Sequence, residues 1–232
     1  MNRKIKRVAA GVMLAGALGV VNQAQAAVID HFDAPNRNLW ANCGFCGPNH
    51  LSDNVASPGS IGGWRNVVLT PVTGLATVSI GPSSFDGHSF DLANNPGAKS
   101  TVTMLWDNNG AGLGGVDLTG NGLTPNFALG INSIDSTGVS ITFNVKDVGN
   151  HIATKTISGV SIGTVLFALN TFSNFGNTSF TSVKSIEMIV SATKADADIS
   201  LAFVQTIPEP SSLALMGLGL VGFSVLRKRK AA

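Results

Sequence analysis

The central part of the chain alternates apolar and polar residues with a period of two. In residues 139–146, Val139, Ile141, Phe143 and Val145 alternate with four polar residues. Successive side chains of a strand point to opposite faces, so this pattern predicts a strand with one buried face. Residues 27–206 contain no stretch of useful length with the apolar period of a helix. Further predicted strands are 67–70, 75–80, 88–92, 101–106, 126–134, 150–158, 164–169, 185–191 and 198–203.

Turn-forming dipeptides separate these segments. Asn or Asp beside Gly tolerates positive backbone φ angles. Such pairs occur at 86–87, 109–110, 121–122 and 149–150. The clearest predicted hairpin joins 139–146 to 151–158. About ten short strands with this spacing predict an all-β domain over 27–206, an antiparallel, jelly-roll-like β-sandwich.

Charge is distributed unevenly along the chain. The net charge is +2, but four Lys or Arg residues lie within 3–7 and four more within 227–230. Residues 27–207 contain seven basic and twelve acidic residues, a net charge of −5. Phosphate binding requires a basic surface, so the central domain is not expected to bind nucleic acid.

The first 26 residues are typical of a secretory signal peptide. A basic stretch is followed by the apolar run 8–21 and by Ala24-Gln25-Ala26. Small residues at Ala24 and Ala26 predict cleavage after Ala26 by the secretion machinery. The apolar run is shorter than the roughly 20 residues that span a bilayer. This length favours a cleaved signal helix over the alternative, an uncleaved anchor.

Residues 207–232 combine a proline-rich triplet, an apolar run and a basic cluster. The triplet is Pro208, Glu209 and Pro210, and the cluster is Arg227, Lys228, Arg229 and Lys230. The prolines stop a strand or helix and leave an extended segment. The apolar run 211–226 is about long enough to enter a membrane as a helix. The basic cluster is expected to hold the C-terminus on the cytoplasmic side.

This tail resembles the PEP-CTERM sorting signal of Gram-negative bacteria. The resemblance implies processing by exosortase, a membrane protease, and an association with exopolysaccharide and biofilm. The alternative, an ordinary tail anchor, gives Pro208–Pro210 no special role. Within the central domain, residues 28–32, 62–65 and 105–118 resemble jelly-roll modules related to carbohydrate-binding folds.

The loop region 107–122 contains two patterns that resemble ligand-binding motifs. Residues 110–115 satisfy G-x-G-x-x-G, but the glycines and proline that follow predict no helix to hold a pyrophosphate, so a nucleotide is not expected. Oxygen donors on Asp107, Asp117 and Asn121 suit a structural calcium ion. The alternative for these residues is the capping of turns by hydrogen bonds to nearby backbone amides. No other cofactor is predicted.

The two cysteines, Cys43 and Cys46, form a C-x-x-C pair. In an oxidising compartment this pair is expected to close a small disulfide loop. Free thiols, a metal site with nearby histidines and a redox-active pair are the alternatives. A redox pair usually opens a helix, and Gly47-Pro48 follows here instead.

Catalytic patterns are sparse. The central domain has one glutamate, Glu187, four scattered histidines and no G-x-S-x-G elbow, so we predict no enzyme. The aspartate pairs Asp30/Asp33 and Asp196/Asp198 leave a secreted hydrolase as a weaker alternative.

Aromatic residues can stack on sugar rings. Trp106 lies on the apolar phase of its strand and is expected in the core, whereas Trp64 is the predicted ligand contact.

Together these features predict an exported protein that is anchored transiently in the inner membrane and then resides at the cell surface or in the extracellular matrix. Its central domain is expected to act by structural or adhesive contacts, with polysaccharide as the expected partner. The alternative is a carbohydrate-binding, lectin-like module with a defined pocket.

Overall fold

The computed structural model describes residues 27–33, 36–42, 51–83, 87–121, 126–135 and 138–207. Within these ranges the chain forms thirteen strands and three short 3-10 helices, at Ile61–Gly63, Leu169–Thr171 and Phe175–Asn177. The strands are β1 (Val28–Asp30), β2 (Arg37–Asn42), β3 (Ser52–Ala56), β4 (Trp64–Thr73), β5 (Leu75–Ser83), β6 (Gly87–Asn94), β7 (Lys99–Trp106), β8 (Asn126–Ile134), β9 (Val139–Asp147), β10 (Ile152–Ser158), β11 (Gly163–Ala168), β12 (Val183–Ala192) and β13 (Ile199–Ile207).

The strands form two antiparallel sheets. The first sheet has the order β11-β8-β13-β6-β5-β2, and β1 also pairs with β13. The second sheet has the order β10-β9-β12-β7-β4-β3. This arrangement confirms an all-β, two-sheet antiparallel sandwich.

The predicted signal and membrane helices lie in residues 1–26 and 208–232, outside the described residues. Within the described ranges, no helix has the length and apolar character needed to cross a membrane.

The core lies between the two sheets and follows the alternation of the sequence. In β9, Val139, Ile141, Phe143 and Val145 are buried, and the polar residues between them are partly exposed. Buried members of the described core extend from Ile29 to Val204. Because both sheets and this core lie within residues 27–207, we expect that stretch to fold on its own.

Most of the predicted strands are confirmed. Strand β8 has the predicted bounds, and β9 pairs with β10 as the predicted hairpin. Asn150 has a φ of 65° in the turn of that hairpin. The sequence prediction missed β1, β2 and β3. Strand β3 buries only Val55, so it has no apolar alternation to recognise.

Candidate functional site

The three stretches that resemble jelly-roll modules meet at a buried ion pair. Asp30 of β1 accepts hydrogen bonds through Oδ2 from Arg65 Nη1 at 2.7 Å and from Trp106 Nε1 at 2.8 Å. Its Oδ1 accepts one from the backbone N–H of Phe32 at 2.7 Å. All four residues are fully buried. Asp30 belongs to the first sheet and Arg65 and Trp106 to the second, so this cluster joins the sheets and offers no access to a ligand.

The three tryptophans occupy different environments. Trp106 is fully buried, as predicted. Trp64, on β4, is half-buried, and its role as a ligand contact remains a prediction. Trp40, on β2, is 53% exposed. Sequence reasoning did not single out Trp40, because β2 was not recognised. Once 37–42 is known to be a strand, buried Leu39 places Trp40 on the opposite, outer face.

A row of polar residues crosses the outer face of the first sheet. The register aligns five residues on neighbouring strands β2, β5, β6, β13 and β8. We call them the polar row: Asn38, Ser79, Asp91, Ser200 and Ser133. At a strand spacing of about 4.8 Å the row is about 19 Å long. Asp91 Oδ2 accepts a hydrogen bond from Ser89 Oγ at 2.7 Å and a longer one from Ser79 Oγ at 3.5 Å.

Trp40 lies beside this row. It is two residues beyond Asn38 on β2, so it shares the outer face, and its cross-strand partner is Thr77. An exposed indole next to hydroxyl, amide and carboxylate groups combines a stacking surface with hydrogen-bonding groups. Such a combination can bind a sugar ring through its apolar face and its hydroxyls.

In the interior of the same sheet, Phe203 of β13 covers a glycine of β8. A Cβ atom on Gly130 would lie 2.5 Å from the Phe203 ring, so the strand requires glycine there. The ring centroid of Phe203 is 6.3 Å from that of His31. This contact places an aromatic surface on β13, three strands away from β2 and Trp40.

Two of the three predicted calcium residues, Asp107 and Asp117, hold turns in this structure through their carboxylates. Asp117 Oδ1 accepts hydrogen bonds from the Thr119 N–H at 2.7 Å and the Thr119 hydroxyl at 2.6 Å, and Oδ2 from the Asn121 N–H at 3.1 Å. Asp107 Oδ1 accepts one from the Gly110 N–H at 3.0 Å. Among the residues that the structure describes, no group of three or more His, Cys, Asp or Glu side chains is placed to hold a metal. The calcium site at Asp107, Asp117 and Asn121 therefore stays a prediction.

Burial acts to raise the pKa of Asp117, but the hydrogen bonds from Thr119 and Asn121 outweigh it and hold that pKa below its ordinary value. A carboxylate whose pKa is lowered by folding stabilises the fold above its unfolded pKa, and this contribution is lost as the pH falls through the folded pKa.

Replacing Asp117 by Ala is expected to lower the free energy of unfolding by about 1 kcal/mol at pH 7, because the turn loses its acceptor. The loss should occur in EDTA as well as in calcium, since these bonds need no metal. Urea unfolding of residues 27–207 at pH 7 and pH 3 checks this, and the difference between variant and wild type should shrink at the lower pH. The turn-capping account would be contradicted if the variant and wild type differed in free energy of unfolding as much at pH 3 as at pH 7. It would also be contradicted if the variant were less stable only in the presence of calcium. A rise in wild-type stability with calcium would support the predicted metal site.

Three of the four aspartates considered for catalysis, all except Asp33, have structural hydrogen bonds. Asp30 belongs to the buried ion pair. Asp198 Oδ1 accepts a hydrogen bond from the Asn94 N–H at 2.6 Å, and Asp196 Oδ1 accepts one from the Gly97 N–H at 2.5 Å. Burial and the neighbouring Asp135 and Asp196 raise the pKa of Asp198, against the Asn94 hydrogen bond. These bonds fasten strand ends and loops, and the absence of an enzymatic activity stays a prediction.

The remaining predicted residues lie outside the described part of the chain. They are Ala24 and Ala26 of the signal peptide, Cys43 and Cys46 of the predicted disulfide, and Pro208, Glu209, Pro210, Arg227, Lys228, Arg229 and Lys230 of the tail. The structure does show where the tail begins. Strand β13 ends at Ile207, directly before Pro208 and one residue beyond the predicted domain boundary.

Three solved structures are similar to this chain over most of its length, at low sequence identity. The family 11 carbohydrate-binding module from Clostridium thermocellum in complex with a beta-1,3-1,4-mixed-linked tetrasaccharide is 10% identical, with a TM-score of 0.40 and coverage of 79% of this chain and 95% of that chain. The family 11 module of the cellulosomal cellulase Lic26A-Cel5E of Clostridium thermocellum is 10% identical, with a TM-score of 0.38 and coverage of 80% and 95%. TmCBM61 in complex with beta-1,4-galactotriose is 8% identical, with a TM-score of 0.35 and coverage of 76% and 90%. At these values the three likenesses identify no ligand for this chain.

Sequence comparison identifies the tail. No curated protein matches the chain significantly. The family described as the PEP-CTERM protein-sorting motif matches residues 206–230, which include the Pro-Glu-Pro triplet, the apolar run and the basic cluster. The chain therefore carries a PEP-CTERM sorting motif whose match begins at the last two residues of β13, which implies an exported protein that is sorted by an exosortase.

Proposed function

We propose that this protein is exported through the general secretory path, held transiently in the inner membrane by residues 211–226, and then deposited at the cell surface or in the extracellular matrix. There its β-sandwich makes structural or adhesive contacts with exopolysaccharide, as part of a biofilm. The observation that carries this proposal is the sorting motif at residues 206–230, which overlaps the last two residues of the final strand.

The position of β13 suits a domain that is attached through its C-terminus. Strand β13 pairs with β8 on one side and with β6 and β1 on the other. A strand with neighbours on both sides is held by hydrogen bonds along two edges, so it resists being pulled from the sheet better than an edge strand. The membrane segment is thereby connected to an interior element of the fold.

The outer face of the second sheet offers polar groups for weak contacts. Thr142 and Thr156 share a hydrogen bond of 2.9 Å across β9 and β10. The Thr154 hydroxyl donates to Asn144 Oδ1 at 2.8 Å, and Asn144 Nδ2 donates to Glu187 Oε2 at 2.7 Å. Such groups make individually weak hydrogen bonds to polysaccharide hydroxyls, and many surface-bound copies convert weak contacts into firm attachment.

A second candidate function, a lectin-like module, is favoured by Trp40 and the polar row. This candidate differs from the first because it requires a defined site rather than distributed contacts. A site of this kind should lose binding when its single stacking residue is removed, whereas distributed contacts should not.

Replacing Trp40 by Ala is the corresponding test. If the outer face of the first sheet is a sugar site, the Trp40→Ala variant of residues 27–207 should bind the recognised glycan at least about tenfold more weakly, which corresponds to about 1.4 kcal/mol. A glycan array, followed by titration of the strongest glycan, measures this effect. The matched control is Trp64→Ala, which removes the half-buried tryptophan of the other sheet. Unchanged binding by Trp40→Ala would reject the site at Trp40, and a loss confined to Trp64→Ala would move it to Trp64.

A further inference from the structure

The strands at the ends of the two sheet orders, β11 and β2 in the first sheet and β10 and β3 in the second, are protected to different degrees. Strands β2 and β3 form one side of the sandwich, where Arg37 Nε lies 3.2 Å from Asp53 Oδ2. Charged residues on edge strands discourage pairing with another chain. On this side of the sandwich, charged residues therefore protect the edge strands against pairing with another chain.

The edge at β10 is covered by the chain itself. The Ser173 N–H donates to the Thr154 carbonyl oxygen at 2.8 Å, and Asn174 Nδ2 donates to the Ile152 carbonyl oxygen at 3.0 Å. The segment that follows β11 thus occupies backbone groups that an edge strand would otherwise present to solvent.

Strand β11 has neither form of protection. Its residues Gly163–Ala168 pair with β8 in continuous register without a bulge. Within the described ranges, no other strand or loop bonds to the backbone of Gly163–Phe167, and only at the end of the strand does the Ala168 carbonyl oxygen accept a hydrogen bond, from Thr171 Oγ1 at 2.7 Å. The strand contains no charged residue and no proline, and the Leu166 side chain is 57% exposed. An uncharged, regular edge of this kind is suited to pairing with another strand.

The absence of charge in the segment that contains β11 indicates which partner suits this edge. Residues 156–183 contain no Asp, Glu, Lys, Arg or His, although residues 27–207 as a whole have a net charge of −5. Two copies of a domain with this net charge repel each other, so copies are expected to approach through a surface that carries no charge. Ile162, which is 67% exposed, and Phe175, which is 37% exposed, add apolar surface to the same uncharged stretch.

We propose that β11 pairs antiparallel with β11 of a second copy of this chain, so that the two first sheets become one continuous sheet. A two-fold axis perpendicular to the sheet keeps both outer faces on the same side. Leu166 then lies opposite Leu166 or Thr164 of the second copy, because only residues on the same face oppose each other. The pairing satisfies backbone groups on both edges and covers an exposed leucine. A strand of six residues gives a small interface, so the dimer is weak in solution and is favoured where copies are concentrated on one surface.

Sedimentation equilibrium of residues 27–207 tests this pairing. The wild type should shift from monomer to dimer as the concentration rises towards about 1 mM, the weak end of measurable affinity. Leu166→Lys should raise the dimer dissociation constant at least about tenfold, because two ammonium groups then oppose each other across the axis. The matched control is Val72→Lys, which introduces the same charge at an aliphatic residue that is 59% exposed on β4, and it should dimerise like the wild type. Both side chains are exposed, so both variants should melt close to the wild-type temperature.

Mixing two charge variants locates the contact. Leu166→Asp alone should also be monomeric, but an equimolar mixture with Leu166→Lys should form heterodimers, because opposite charges then meet at the axis. A wild type that stays monomeric to about 1 mM would overturn the proposal. So would a Leu166→Lys dimer as tight as the wild type, or a mixture no more associated than its components. If the wild type is monomeric and Leu166→Lys instead weakens binding to a neutral polysaccharide, the β11 edge serves a glycan and self-pairing is rejected.

Discussion

Replacing Asp30 by Ala is expected to lower the free energy of unfolding of residues 27–207 by about 3–5 kcal/mol, because it removes one partner of a buried ion pair. The change leaves the Arg65 guanidinium inside the core without its carboxylate, and it removes the acceptor of the Trp106 indole N–H and the Phe32 backbone N–H. Because Arg65 is fully buried, loss of the Asp30 carboxylate removes stabilisation of its charge that water does not replace, and this destabilises the folded state. Urea unfolding at pH 7 measures the effect.

The exposed ion pair provides the matched control. Asp53 pairs with Arg37, whose side chain is 46% exposed, and such pairs contribute about 0–1 kcal/mol. Asp53→Ala should therefore cost far less than Asp30→Ala. Similar losses for the two variants would show that the Asp30 cluster does not fasten the two sheets.

Deleting residues 208–232 is expected to abolish retention of the protein at the cell surface and to release the folded domain into the medium. The deletion leaves β13 intact, since that strand ends at Ile207. It removes the triplet, the apolar run and the basic cluster of the motif that matches residues 206–230. Fractionation of cells into inner membrane, surface and medium, followed by detection of the domain, measures the redistribution.

A second tail variant separates anchoring from sorting. Changing Pro208, Glu209 and Pro210 to Ala preserves the apolar run and the basic cluster, so this variant should remain in the inner membrane without reaching the surface. If the deletion variant were retained at the surface like the wild type, the tail would have no sorting role. If the triple-Ala variant reached the surface normally, the tail would act as an ordinary membrane anchor.

Alternation was sufficient to predict most of the sandwich. Strands such as β8 and β9 bury one face against the opposite sheet, and this imposes a period of two on their sequence. Strands β2 and β3 lie at sheet edges and bury few side chains, with Leu39 and Val55 as their buried residues among the described side chains. Their sequences therefore carry little periodic signal.

The partners of the buried ion pair could not be derived from spacing. Asp30 is 35 residues from Arg65 and 76 from Trp106, and the contact depends on which strands face each other across the core. The same applies to the polar row, whose members come from five separate strands and are aligned only by the register. For this reason the sequence alone did not identify Asp91 as a candidate site residue. The tail required no tertiary information, because its triplet, apolar run and basic cluster are contiguous.

The masses of the mature protein recovered from the cell surface test the central claim most directly. Export and exosortase sorting predict a chain that begins at Ala27 and ends before the basic cluster 227–230, with the sandwich of residues 27–207 intact. A surface protein that still carries residues 227–230, or a chain found only in the cytoplasm with residues 1–26 attached, would contradict it.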